Sequence, residues 1–255
     1  MQKPDKGQPW PPAPVIESVR HPLRRRSLNV VAVARLTPHM TRITLGGPDL
    51  ADFCSAAPDD HIKIFLPGPD GEQIRRDYTP RRFSPHTATL ELDFADHPAG
   101  PAAIWARTAR IGDRLDIGGP KGSRVITGPV RQWLLVGDES ALPAIGRTVE
   151  ELPAQATATT VVAVPGGADE QRFATAATHC AHWVHRPVEQ ADQAQALVAA
   201  LEPIAISAGT FVWVGAEAGV ARAVRGYLRN VRGVRVQWIK AVSSTNLQLA
   251  TTPTV

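Results

Sequence analysis

The sequence predicts a β + α/β protein of two domains, in which an N-terminal antiparallel β-barrel is followed by a C-terminal open parallel α/β sheet. The length of 255 residues is enough for two domains of ordinary size. Short strands separated by turn residues fill the first part of the chain, whereas strands alternating with helices fill the second. The dipeptide Gly128-Pro129 marks the change between the two patterns, so we place the domain boundary there.

The barrel domain is predicted over residues 28–129, after a basic, Pro-rich arm over residues 1–27 that we expect to be flexible. Its strands are predicted at residues 28–34, 41–45, 61–66 and 87–94. One helix interrupts them after Gly100, because Pro101 is favourable at a first helical position. Short, regularly spaced strands of this kind are typical of a small antiparallel barrel.

The second domain is predicted over residues 130–241, followed by a polar tail over residues 242–255. Short apolar runs, typical of buried parallel strands, occur at residues 132–136, 159–164, 183–185, 210–215 and 234–239. Apolar residues at helical spacing lie between the later strands. Ligands of such a sheet bind beyond the carboxyl ends of its strands.

Composition and charge exclude several classes of protein. With 43% hydrophobic and 20% charged residues, the chain is neither disordered nor fibrous. It has no apolar run long enough to span a bilayer and no apolar core of a signal peptide, so we expect a cytoplasmic protein. The net charge of +4 comes from residues 1–30, and the rest of the chain is neutral overall. Such a basic arm could contact RNA or anionic lipid, but a solvated tail is the favoured interpretation, so we expect no nucleic-acid partner. A monomer is the default expectation.

Only two cysteines, Cys54 and Cys180, are present, which excludes a disulfide framework, a four-thiolate zinc site and a protein-bound iron–sulfur cluster. Any redox chemistry therefore needs an organic cofactor. A further group has the residue types of metal ligands: His179, Cys180, His182 and His185. We expect no metal site there, because a helix end running into a strand would point these side chains in different directions.

The densest cluster of functional side chains lies on a predicted strand and reads Arg75-Arg76-Asp77-Tyr78-Thr79-Pro80-Arg81-Arg82. Guanidinium groups bind phosphate in a bidentate manner, a tyrosine ring can lie on a flat aromatic cofactor, and a threonine hydroxyl can reach a ring nitrogen. Together these groups suit a flavin dinucleotide. A basic surface strand with an incidental Tyr-Thr pair is the alternative.

The segment from Asp93 to Ala102 leads directly into the predicted helix. The amino end of a helix offers unpaired amides and a positive dipole, as a pyrophosphate requires, and Gly100 allows close approach of the backbone. An ordinary Gly-Pro helix start is the alternative.

Two turns follow predicted strands of the second domain, Gly137-Asp138-Glu139-Ser140 and Gly215-Ala216-Glu217-Ala218. A nicotinamide or a substrate would bind at these strand ends, although the acidic pair of the first turn could instead stabilise the next helix. After residue 164, Asp169 and Glu170 suit a free ribose hydroxyl and Arg172 suits a 2′-phosphate, so NADH and NADPH both stay open.

These residues resemble the siderophore-interacting proteins, a family of FAD-containing ferric-siderophore reductases related to the ferredoxin–NADP reductases. Arg76-Asp77-Tyr78-Thr79 matches the family's Arg-x-Tyr-Thr flavin motif. The segment from Asp93 through Gly112-Asp113 also matches, and residues 137–144 are similar to the family's Gly-Asp-Glu-Thr-Ala-Leu-Pro-Ala. The resemblance extends roughly from Leu28 to Arg229.

The resemblance implies a ferredoxin reductase-like fold, bound FAD, NADH or NADPH as electron donor, and reduction of an Fe(III)-siderophore to release Fe(II) in iron acquisition. It assigns Arg76 to the FAD pyrophosphate and makes Tyr78 and Thr79 the catalytic pair, with Thr79 near the flavin N5. Its other FAD contacts are Asp93, His97, Gly100, Pro101 and Ala102. Its nicotinamide or substrate side consists of Gly137, Asp138, Glu139, Ser140 and Glu217.

The C-terminus departs from the family pattern. Members usually carry a Gly-Tyr-Trp-Arg-like segment followed by a helix, whereas this chain has Gln237-Trp238-Ile239-Lys240 and then the polar tail. Two other functions therefore stay open, a general NAD(P)H:flavin or quinone oxidoreductase and a non-catalytic ferric-siderophore-binding protein. The sequence does not distinguish a catecholate from a hydroxamate siderophore.

Overall fold

The computed structural model describes residues 10–68, 71–97 and 100–244. The strands of the first part are β1 (Val15–Arg20), β2 (Arg25–Thr37), β3 (Met40–Gly46), β4 (Ile62–Pro67), β5 (Gln73–Tyr78), β6 (Arg82–Ser84), β7 (Thr89–Ala95), β8 (Arg114–Gly118) and β9 (Gly122–Thr127). Helix α1 (Pro101–Thr108) lies between β7 and β8. No helix among these residues is long and apolar enough to cross a membrane.

Seven of these strands form one antiparallel sheet in the order β5-β4-β8-β2-β3-β7-β6. Alternate side chains of β2, β3, β4, β7 and β8 share a single apolar core, so the sheet curves around that core. The two edge strands, β5 and β6, are joined only by residues 79–81. The edges of the barrel therefore meet next to Thr79.

The second sheet contains β10 (Gln132–Gly137), β11 (Thr157–Val164), β12 (Thr178–His185), β13 (Thr210–Glu217) and β14 (Ile239–Ser244). Its helices are α2 (Leu142–Glu151), α3 (Gln195–Leu201) and α4 (Ala218–Asn230). The strands are parallel in the order β12-β11-β10-β13-β14, so the order reverses between β10 and β13. The predicted fold class, antiparallel barrel followed by open parallel sheet, is confirmed.

Helices cover both faces of this second sheet, which explains its continuous apolar strands. The residues of α3 and α4 pack on one face. Those of α2 pack on the other, together with Met40 of the barrel strand β3. Helix α2 therefore lies at the junction of the two domains.

Buried polar contacts tie the domains together at this junction. Asp59 of the barrel accepts a hydrogen bond from Trp213 Nε1 at 2.9 Å and forms an ion pair with Lys240 Nζ at 2.7 Å. His39 donates its backbone N–H to Asp169 Oδ1 at 3.0 Å, and its ring Nδ1 lies 2.9 Å from Asp169 Oδ2. These carboxylates are largely desolvated, so removal of a partner is costly.

The structure differs from the predicted flexible arm. β1 pairs with β9 over all six of its residues, and β2 already begins at Arg25. Arg25 binds Asp116, and Arg26 binds Asp52. The basic residues thus find acidic partners that are distant in sequence, which composition alone does not reveal. Residues 1–9 of the arm lie outside the described residues.

The last strand also differs from its prediction. Residues 236–238 form a 3-10 turn, and β14 begins only at Ile239. Trp238 is buried in the core of the second domain and contacts the Trp10 ring at a centroid distance of 5.8 Å, so it anchors a turn rather than continuing a strand. Residues 242–244 of the predicted polar tail therefore belong to β14, and residues 245–255 lie outside the described residues.

Candidate functional site

An aromatic column joins the end of β5 to helix α1. The Tyr78 ring packs on Phe94 of β7 with centroids 4.3 Å apart, and Phe94 packs on Trp105 of α1 at 5.6 Å. Burial raises the pKa of Tyr78, so its hydroxyl stays protonated near neutral pH. Tyr78 therefore offers a neutral ring and a hydrogen-bond donor beside Thr79, where the barrel edges meet.

Arg76 is the cation available beside this column. Its Nη1 donates to the carbonyl of Arg75 at 2.8 Å, and no carboxylate of the described residues forms an ion pair with it. The neighbouring acid Asp77 is bound by Lys63 at 2.6 Å. Arg75 lies over the Phe65 ring, 5.9 Å from its centroid, on the opposite face of β5. Arg76 can therefore bind an anionic ligand without breaking an ion pair.

The amino end of α1 has the properties of an anion site. Gly100 precedes Pro101, the first turn contains no acidic residue, and no side chain caps it. A Cβ at Gly100 would lie 3.7 Å from its nearest neighbours, so the fold itself does not require glycine here. Arg76 and the first-turn amides at Ala102 and Ala103 are each of the donor type that binds phosphate groups, such as the pyrophosphate of FAD.

Asp93 is engaged within the protein. Its two carboxylate oxygens accept hydrogen bonds from Arg42 at 2.7 and 2.8 Å, and Arg81 Nε lies 3.7 Å away. The side chain is buried. This geometry argues against the direct FAD contact that the resemblance implies for Asp93, because the carboxylate is buried between the guanidinium groups of Arg42 and Arg81.

His97 lies between the barrel and the second domain. Its backbone carbonyl accepts a hydrogen bond from Arg107 at 2.9 Å. Burial lowers the pKa of His97, and the nearby carboxylate of Asp138 opposes this shift. His97 is therefore neutral near physiological pH and lies near the turn that follows β10.

Asp138 connects the ends of β10 and β13, where the strand order reverses. Its Oδ1 accepts hydrogen bonds from the Ser140 N–H at 2.9 Å and the Ser140 hydroxyl at 2.5 Å, and its Oδ2 accepts from the Glu217 N–H at 3.1 Å. Glu217 caps α4 by accepting from Gly219 N–H at 2.6 Å. These three side chains hold the two turns in place, so they are engaged within the protein rather than free to bind a ligand.

Close backbone packing explains the glycines of both turns. A Cβ at Gly137 would lie 2.6 Å from the Gly215 carbonyl oxygen, and one at Gly215 would lie 2.3 Å from the Trp213 ring. Both positions therefore require glycine for packing, independently of any ligand.

Glu139 forms a buried ion pair with Arg186, which follows β12. Glu139 Oε2 lies 2.9 Å from Arg186 Nη2, and both side chains are at most 5% exposed. Burial and the neighbouring Asp138 raise the pKa of Glu139 from 4.5 to about 7, against the effect of Arg186. Sequence reasoning missed Arg186, because it lies 47 residues from its partner and outside any motif.

The residues predicted to contact the nicotinamide ribose, and those with the residue types of metal ligands, differ in their surroundings. Asp169 is bound to His39 and Glu170 to His185, whereas Arg172 is exposed. The residues with metal-ligand types lie along strand β12, not at a helix end. Within the described residues, no three potential metal ligands come together.

A surface cavity of about 340 Å³ lies at the other end of β5, and its lining includes Phe65 and Gln73. Tyr78 is at the opposite end of the same strand. The candidate flavin residues therefore do not belong to this cavity.

Both parts of the chain are similar to known protein families. Residues 29–75 and 69–124 match the siderophore-interacting FAD-binding domain family, and residues 130–243 match the siderophore-interacting protein family. The NADPH-dependent ferric-chelate reductase of Escherichia coli is 32% identical over 228 residues, which are 81% of this chain and 87% of that protein.

Two solved structures share the fold. A siderophore utilization protein from T. fusca superposes with a TM-score of 0.84 at 33% identity, over 94% of this chain and 98% of that one. A ferredoxin reductase in carbazole 1,9a-dioxygenase gives a TM-score of 0.66 at 17% identity, over 88% of this chain and 70% of that one, and shows the fold alone.

Proposed function

The chain belongs to the siderophore-interacting protein family, and from this membership we propose that it is an FAD-dependent reductase that transfers electrons from NAD(P)H to Fe(III)-siderophores, releasing Fe(II) for iron acquisition. The observation that carries the proposal is Arg76. Its guanidinium has no carboxylate partner within the described residues, and Arg76 lies two residues before Tyr78 on β5, near the end of the strand that leads into Thr79. A cation in that position suits a ligand that is both anionic and aromatic.

In this proposal the protein binds and orients the cofactor. Arg76 and the first-turn amides of α1 hold the pyrophosphate, while Tyr78 lies against the ring system and Thr79 faces its polar edge. The Phe94 ring packs against the Tyr78 ring and holds it in place. Bound FAD supplies the conversion between two-electron donation by a nicotinamide and one-electron reduction of Fe(III).

We propose NADPH as the donor, as in the name of the E. coli relative. The nicotinamide would bind at the carboxyl ends of β10 and β13, where the strand order reverses. Asp169, which would suit a free ribose hydroxyl, is buried and bound to His39, whereas Arg172 is exposed. The exposed guanidinium favours a 2′-phosphate.

A cytoplasmic location and a monomeric state are also part of the proposal. The cytoplasm holds the reduced nicotinamide that the reaction consumes. Gel filtration at several protein concentrations tests the monomer.

The first test compares two adjacent arginines. Arg76→Ala is expected to raise the Kd for FAD by roughly 10- to 100-fold, because a hydrogen bond to a charged group contributes about 1.5–3 kcal/mol. Arg75→Ala is the matched control, since that side chain lies over Phe65 on the opposite face of β5. Equal FAD affinity in wild type and Arg76→Ala, measured by flavin fluorescence, would remove Arg76 from the site.

Turnover assays distinguish the proposed function from its alternatives. Anaerobic reduction of catecholate and hydroxamate Fe(III) complexes is followed with an Fe(II)-specific chelator, beside free flavin and a quinone as acceptors. Comparable rates on free flavin or quinone would favour a general oxidoreductase. Ferric-siderophore binding without electron transfer would favour a binding protein.

A further inference from the structure

Helix α2 physically connects the two parts of the candidate site. It begins at Leu142, directly after the turn that contains Asp138 and Ser140. Its opposite end lies against the barrel segment that follows Thr79, through the side chains of Arg147 and Glu150. The helix is therefore in contact with both the nicotinamide side and the flavin side.

Arg147 binds the barrel through three hydrogen bonds. Its Nη1 donates to the Pro80 carbonyl at 3.0 Å and to Ser55 Oγ at 2.8 Å, and its Nη2 donates to the Ser55 carbonyl at 3.1 Å. Its Nε donates to Glu151 at 2.7 Å, which orients the guanidinium. Pro80 lies between β5 and β6 and outside both strands, so Arg147 supplies a hydrogen bond that the sheet does not.

A second contact runs in the opposite direction. Arg81 of the barrel donates to both carboxylate oxygens of Glu150, each at 2.7 Å. Gly146 permits this approach, because a Cβ there would lie 3.1 Å from Arg81 Nη2 and 2.6 Å from the Phe173 ring. The Arg81–Glu150 pair holds the domains together without Arg147.

We propose that Arg147 is a positioning residue for flavin reduction: by binding the Pro80 carbonyl, it fixes the Thr79-Pro80 segment, and with it the flavin edge, relative to the nicotinamide turn that precedes α2. The proposal rests on the proposed function, since it requires FAD beside Thr79. Small displacements of reacting groups cost rate far more than they cost binding. Arg147 therefore affects the rate of hydride transfer more than the affinity for either cofactor.

The test uses the FAD-loaded protein and the variants Arg147→Met, Arg147→Lys and Arg82→Met. Arg82 is the matched control, because it also pairs with Glu150 across the junction, at 3.2 Å, but within the described part of the chain its side chain donates no hydrogen bond to Pro80. Anaerobic stopped-flow gives the limiting rate of flavin reduction and the Kd for NADPH. Visible circular dichroism of the bound flavin reports its surroundings without any turnover.

For Arg147→Met we expect a limiting rate about tenfold lower, an NADPH Kd within about twofold of wild type, and a changed flavin dichroism band. Arg147→Lys should recover part of the rate, because an ammonium can still donate to a carbonyl. Arg82→Met should resemble wild type. If Arg147→Met does not fold, Arg147→Lys is judged by the same criteria, with an intermediate loss of rate expected.

An unchanged rate and dichroism band in the loaded Arg147 variants would overturn the positioning role. An equal loss in Arg82→Met would do so too, because it would indicate general loosening of the junction. Failure of the wild-type protein to bind FAD would instead refute the proposed function, and this inference with it.

Discussion

The buried pair of Glu139 and Arg186 predicts an unusual dependence of stability on pH. Burial and the nearby Asp138 raise the pKa of Glu139 from 4.5 to about 7 in the folded protein. The Glu139 carboxylate thus binds its proton more tightly in the folded state than in the unfolded state. The contribution of Glu139 to the free energy of unfolding is therefore complete below pH 4.5, falls as the pH rises through about 7, and is constant above that.

The size of this effect follows from the two pKa values. The gap between 4.5 and about 7 corresponds to about 3 kcal/mol in the free energy of unfolding. Most of it, about 2–3 kcal/mol, is lost between pH 5 and pH 8. Glu139→Gln cannot ionise, so its free energy of unfolding should lack this fall.

The assay is urea unfolding of wild type and Glu139→Gln at pH 5 and pH 8, followed by tryptophan fluorescence at one saturating FAD concentration. Subtracting the two pH dependences cancels the pH-independent cost of the substitution, including the lost ion pair with Arg186. Glu202→Gln, at an exposed site after α3, controls for removal of a carboxylate. Parallel pH profiles for wild type and Glu139→Gln would refute the reasoning.

Two further predictions concern the domain junction and the flavin edge. Among the described residues, Lys240→Met leaves the buried Asp59 carboxylate with Trp213 as its one remaining partner. The substitution should lower the free energy of unfolding, measured in urea, by about 3 kcal/mol; a loss below about 1 kcal/mol would mean that Asp59 is solvated. Thr79→Ala should bind FAD as wild type does, but NADPH should reduce the bound FAD about tenfold more slowly. The reason is that a hydrogen bond to the reacting ring contributes about 1.4 kcal/mol. Equal rates in stopped-flow would place Thr79 away from the ring.

The fold class and the candidate site motifs both depend on local sequence features. Strand runs, Gly-Pro breaks and the proline at the start of α1 act on neighbouring residues, so a short window of sequence contains the determinants. Arg76 and Tyr78 likewise lie in one contiguous motif on the edge strand β5, and Gly100 lies in a second motif that leads directly into α1. Interactions between residues close in sequence are sufficient to predict these features.

The roles of the charged residues could not be predicted in the same way. Glu139 and Arg186 are 47 residues apart in the sequence, and Arg81 and Glu150 are 69 residues apart. The sequence near a motif therefore does not show whether a carboxylate is exposed to solvent or paired with a distant arginine. Asp93 illustrates the consequence, because its motif position suggests a cofactor contact while Arg42 occupies both oxygens. A motif match therefore proposes candidate site residues but does not separate ligand contacts from supporting residues.

Several of these supporting residues fix the segments that contact the two ends of α2. Packing at Gly137 and the hydrogen bonds of Asp138 fix the turn that precedes the helix, and Arg147 fixes the barrel segment against its other end. A helix of ten residues keeps its length when a contact at either end is formed or lost, because each turn is held by its own backbone hydrogen bonds. The separation of the two sides is thus set by one stiff element, so loss of an end contact changes alignment while the Arg81–Glu150 pair still holds the domains together.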